Sequence, residues 1–179
     1  VVYVIDAIGP YLLAVEAKAD EPYGDEVSKT LADALERRLG NPRSNGVARV
    51  EQLVLSLFGP RVKGEPRLGE LRYQLLTACA GAVSEAKRKG YSRAVMLVHE
   101  FVTSETQPGN HKRNNSDLAA FVYRLSRGRT TEVTDGRLVG PFIVPSAAEV
   151  ELFIGKVVRR LGTSGPGWPE VSRLRSYPI

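Results

Sequence analysis

Cysteine, histidine, methionine and tryptophan are scarce: the 179 residues hold one Cys, two His, one Met and one Trp. A single cysteine, Cys79, excludes an intrachain disulfide framework and any multi-cysteine zinc centre. The two histidines, His99 and His111, leave little scope for histidine-based metal chemistry. No apolar run approaches the roughly 20 residues that a membrane-spanning helix needs, and no signal peptide is visible. No membrane is therefore expected as a partner. Glycine-rich phosphate loops and the Gly-x-Ser-x-Gly nucleophile elbow are absent too. One thiol, set in a helical pattern, fits a small core residue in a reducing, cytoplasmic setting.

What remains is 42% hydrophobic and 25% charged, enough to build one domain around a sizeable core. A formal net charge of +5 favours phosphate-rich partners, because lysine and arginine release counterions from phosphates. Val1 lies directly inside an apolar run, so further residues are expected upstream of it.

The runs Val1–Ile5 and Tyr11–Val15, joined through Gly9-Pro10, predict two strands of a hairpin. The second run is apolar on both faces, as a central strand covered on two sides would be. Helical spacing follows over about 26–39, with Asp25 as its cap, and over about 47–58. GPRVKGEPRLG reads as an exposed, mobile loop. The stripe Leu71, Leu75, Ala78, Cys79, Ala82, Val83 and Ala86 predicts a long helix over 68–89, and the apolar run with β-branched members that follows predicts a buried strand over 93–102. Strand, helix, strand implies a parallel crossover. A polar loop, a helix over about 117–126, a hairpin at Asp135-Gly136 and a last helix over about 146–161 complete the reading. The expected architecture is α/β, a mixed central sheet with helices on both faces and a helical pair inserted at about 26–58. One domain spans 1–162, and 163–179 form an irregular tail rich in glycine and proline.

Each strand of the first hairpin breaks into charge at one end, which is expected to bring Asp6, Glu16 and Lys18 together. Two carboxylates can share a hard cation such as Mg2+ or Mn2+, with the Ala17 carbonyl as a third ligand. Lys18, on the same strand face as Glu16, could stabilise developing negative charge or orient a metal-bound water.

Asp6, nine residues, then Glu16-Ala17-Lys18 closing an apolar strand resembles the signature of the PD-(D/E)XK nuclease superfamily. The stretches AVEAKADEPYGD, LRYQLL and AVMLVHEF are similar to an uncharacterised bacterial family with that fold. The resemblance implies a restriction-endonuclease-like fold and Mg2+-dependent hydrolysis of DNA or RNA phosphodiesters. It implies metal binding by Asp6, Glu16 and Ala17 and a catalytic Lys18. On the long helix it implies a Gln74 that positions water or phosphate, with Arg72 as a possible substrate contact. Many superfamily members dimerise, so a homodimer is compatible with it. Ile5 stands where the superfamily often has proline.

His99 and Glu100 interrupt an apolar strand on opposite faces, and one or the other is expected to border the site. The loop bearing His111, Lys112 and Arg113, and a second with Arg61, Lys63 and Arg67, are of a composition that contacts phosphates without reading sequence. Two other readings use the same residues. One is a catalytically inactive module that binds nucleic acid or a partner protein; the other is an enzyme acting on a different anionic substrate.

Overall fold

The protein is described here by a computed structural model covering residues 1–130 and 132–162; the tail expected over 163–179 lies outside the described residues. Its centre is a five-stranded mixed sheet. Strand β1 (Val2–Ile5) pairs antiparallel with β2 (Pro10–Lys18), as the hairpin reading expected. Helices α1 (Val27–Gly40), α2 (Gly46–Phe58) and α3 (Tyr73–Arg88) follow. The chain then enters β3 (Arg93–Val102), parallel to β2. After α4 (Pro108–Leu125) come β4 (Leu138–Ile143) and β5 (Glu151–Arg160). The strand order is β1-β2-β3-β5-β4, with β5 parallel to β3 and β4 antiparallel at the edge.

Alternation along the parallel strands decides which face is buried. Leu12 and Ala14 of β2, Ala94, Met96 and Val98 of β3, and Leu152 and Ile154 of β5 point to one side. They form one core with Leu75, Leu76, Cys79 and Val83 of α3 and Leu118, Phe121 and Val122 of α4. Burial pushes the Cys79 thiol up from its ordinary pKa. The opposite face bears Leu13, Val15, Leu97, His99, Phe101 and Val157, all partly or largely exposed. Helices on both faces were expected. Among the described residues they pack on one face only, and the second apolar face of β2 is the open one.

Several local expectations are corrected. Helix α1 starts after Glu26 with no side-chain cap, so Asp25 does not cap it. Helix α3 begins at Tyr73, because the preceding backbone is used elsewhere: Val27 N–H donates to Leu71 O and Ser28 N–H to Gly69 O. The loop after α2 is pinned, with Glu65 accepting from the buried Arg124 at 2.7 Å. Helix α4 reaches back to Pro108 through residues read as a loop; proline suits a first helical turn. Asp135-Gly136 does not join two strands; Asp135 forms an isolated bridge with Lys156. The largest correction is β5, read as a helix. Gly155 and β-branched Ile154, Val157 and Val158 disfavour helix, and Leu152, Ile154 and Lys156 alternate inward as a strand requires.

Candidate functional site

On each parallel strand the inward face changes from apolar to charged towards the carboxyl end. On β2, Leu12 and Ala14 are followed by Glu16 and Lys18; on β3, Met96 and Val98 by Glu100; on β5, Leu152 and Ile154 by Lys156. The register places Glu16 beside Val98, Lys18 beside Glu100, and Val98 beside Lys156, so these charges share one face. Crevices at the carboxyl ends of parallel strands are where ligands commonly bind in α/β proteins.

Lys18 is 3% exposed. Its ammonium lies 3.1 Å from Glu16 and donates to Gln74 Oε1 at 2.7 Å; Glu21 is 4.0 Å away and the Tyr23 ring centroid 5.4 Å. Gln74 is delivered by a short pairing of residues 23–28 with 69–74, in which Glu26 bridges Arg72. Gly24 makes room for it: its φ is +68°, and a Cβ there would stand 3.1 Å from Gln74 Cγ. Burial, reinforced by the carboxylates of Glu100, Glu16 and Asp117, pushes the Tyr23 phenol well above its ordinary pKa. Arg72 is held by Asp117 at 2.9 Å and by Gly24 O, which makes it a brace between α3 and α4.

A second group adjoins the first. Glu100, buried, has Oε1 2.6 Å from His111 Nδ1 and Oε2 3.6 Å from Lys156 Nζ, and Lys156 also donates to Asn115 Oδ1. Asn114, buried as well, donates to Glu21 O. The first half of α4 thus lies across the ends of β2, β3 and β5. A cavity of about 310 Å³ opens there, lined by Glu100, Thr106, His111, Asn115, Lys156 and Arg160 among others. A larger hollow of about 550 Å³ between α2 and Pro145 has Glu51 as its only ionisable lining group.

Asp6 takes no part in either group. Ile5 pairs with Pro10, so Asp6 sits at the hairpin turn, whereas Glu16 lies six residues further along β2. At about 3.3 Å per residue the separation is roughly 20 Å. Asp6 is occupied there: Arg93 grips it through two hydrogen bonds of 2.6 and 2.9 Å, and Ile8 and Gly9 N–H donate to it. These bonds, the guanidinium's first, hold its carboxyl well below the ordinary aspartate pKa. A carboxylate with a depressed folded-state pKa stabilises the fold above its unfolded pKa of about 3.9 and loses that contribution as pH falls further. Asp6→Asn should therefore be less stable than wild type at neutral pH, with the gap closing as pH drops below about 4. Chemical unfolding across that range checks it.

Of the other residues singled out, His99 lies on the open face, its ring 4.2 Å from that of Phe101, away from the site. Ala17 is paired in register with His99. Lys112 and Arg113 are exposed on the first half of α4 rather than on a loop. Sequence reasoning gave Lys156, Asn114 and Asn115 no part in the site, and it placed His111 only among loop residues.

The carboxylates assigned to a divalent ion do not converge, and the cation beside Glu16 and Glu21 is the protein's own Lys18 ammonium. Among the described residues, no group of three His, Cys, Asp or Glu side chains could hold a metal. The residues present do not fit the expected Mg2+ site. Nor is any described helix long and apolar enough to cross a membrane.

Fold and site together define an α/β protein whose parallel strands end in buried ion pairs under the start of a helix. The chain belongs to the DUF6946 family, a domain of unknown function, whose family model matches residues 1–161. No curated protein and no solved structure matches it.

Proposed function

We propose that the chain is a nucleic-acid-binding module with a restriction-endonuclease-like arrangement, in which the Asp6–Glu16 metal chemistry is absent. The observation that carries the reading is the gathering of exposed cations at one end of the sheet. Lys112 and Arg113 stand on the first half of α4, and Arg159 and Arg160 end β5. Such side chains supply affinity for a phosphate backbone without reading bases. The nuclease-like arrangement is supported by the hairpin, the α3 crossover and the parallel β3.

Hydrolysis is the second reading, favoured by one contact: Lys18 bound to both Glu16 and Gln74, the residue types that the resemblance assigns to catalysis. Incubation with labelled single- and double-stranded oligonucleotides in Mg2+ or Mn2+ separates the two. The binding reading predicts retention without cleavage. Cleavage that EDTA abolishes and Lys18→Ala removes would establish hydrolysis instead.

A further inference from the structure

We propose that the 310 Å³ cavity at the carboxyl ends of β3 and β5 is a binding site for a phosphomonoester group, with Lys156, Asn115 and Arg160 as its donors and His111 in its wall. The inference shares Arg160 with the nucleic-acid reading but does not use Lys112 and Arg113, so the two can fail separately.

The cavity is at the small end of ligand pockets, which run from about 300 to 1,000 Å³, so it suits a head group rather than a large ligand. His111 stands in the cavity wall with its Nδ1 2.6 Å from the buried Glu100, which positions the ring. Its Nε2 is closed off from solvent and is not one of the donors.

Charge and donor geometry select the ligand class. Glu100 is the only acidic lining residue, and His111 and Lys156 both face it. Arg160 remains as an exposed lining cation with no ion-pair partner among the described residues. Lys156 has donor capacity left after Asn115 and Glu100, and Asn115 uses its Oδ1 for Lys156, which leaves its amide N–H groups free. Donors from α4 and β5 therefore meet around one space, as a tetrahedral anion with three terminal oxygens requires. Val102, Pro108 and Val158 supply apolar wall for the ester's organic part.

The test uses the whole chain and inorganic phosphate as the probe, with the His111 ring nitrogens followed by NMR; His99→Gln assigns the two histidines. Saturable movement of the His111 ring signals, as a reporter in the cavity wall, with affinity at least tenfold weaker in Arg160→Ala, is the expected result. An oligonucleotide with a 5′-phosphate that binds tenfold tighter than its 5′-hydroxyl form identifies a nucleic-acid end as the source. Equal binding of the two, with inorganic phosphate still bound, identifies a small phosphorylated molecule. A His111 signal that phosphate does not move, or a response that Arg160→Ala leaves unchanged, overturns the proposal. Neither failure touches salt-dependent oligonucleotide binding through Lys112 and Arg113.

Discussion

Replacing Glu100 with alanine is expected to cost about 3–5 kcal/mol of stability, the usual penalty for stranding one member of a buried ion pair. Glu100 is 2% exposed and, among the described residues, is the only carboxylate in contact with Lys156. Without it, Lys156 keeps only Asn115 as partner, and the His111 ring loses the acceptor that orients it. The loss should appear as a lower urea midpoint at unchanged slope, since neither the compactness of the native state nor the unfolded surface need change. The double variant Glu100→Leu/Lys156→Met should recover a good part of the loss, because apolar replacement of both partners removes the stranded charge. A cost below about 1 kcal/mol for Glu100→Ala would show that this carboxylate does not anchor the group.

Glu65→Ala is expected to be comparably damaging although Glu65 lies on a loop. Its carboxylate accepts from Arg124, which is 1% exposed, sits 4.9 Å over the Phe58 ring and has a buried Nε without a partner among the described residues. A guanidinium cannot shed its proton as a buried lysine can, so removing Glu65 leaves a full charge in the interior. A cost of about 3 kcal/mol or more is expected. Arg124→Met should be milder, because it removes the charge and keeps an apolar stem against Phe58. If Arg124→Met proves the worse of the two in urea unfolding, the pair contributes through packing rather than through neutralisation.

These two pairs also show where sequence reading succeeds and where it stops. The β2–α3–β3 unit was legible because its apolar residues recur at one period at a time: Leu75, Cys79, Ala82 and Val83 mark a helix, and 94–98 is a continuous apolar run with β-branched Val95 and Val98. Strand β5 was not, because Leu152, Phe153, Ile154, Val157 and Val158 satisfy both helical and strand spacing. Misreading it hid Lys156, and with it the partner of Glu100. The first half of α4 carries no apolar stripe, since it caps a polar end of the sheet; Asn114 is buried by bonding to Glu21 O, a long-range contact that periodicity cannot report.

The hairpin was legible and its geometry was not fully used. An antiparallel turn immediately after Asp6 sends β2 away from it, so a carboxylate at the turn and one near the end of the return strand lie at opposite ends. Spacing in the sequence made Asp6 and Glu16 look like partners; strand direction separates them. Glu16, Lys18 and Gln74 do meet, and Glu100 borders them as expected while His99 does not.

The open face of the sheet fits the same account. Leu13 and Val15 made β2 look covered on two sides, yet no described helix packs there. Apolar residues on both faces indicate a strand well inside a sheet, but they do not say what covers each face.

The central claim is that this protein engages nucleic acid through the cations at the carboxyl end of its parallel strands, without Asp6. The most direct measurement is oligonucleotide binding by fluorescence anisotropy across a salt series, comparing wild type, Asp6→Asn and Lys112→Ala/Arg113→Ala. The account predicts that affinity falls linearly with salt on a double-logarithmic plot. The slope should shrink by about 1–2 in the lysine–arginine variant and stay unchanged in Asp6→Asn. Binding indifferent to salt, or binding lost in Asp6→Asn while Lys112→Ala/Arg113→Ala retains it, would contradict the claim.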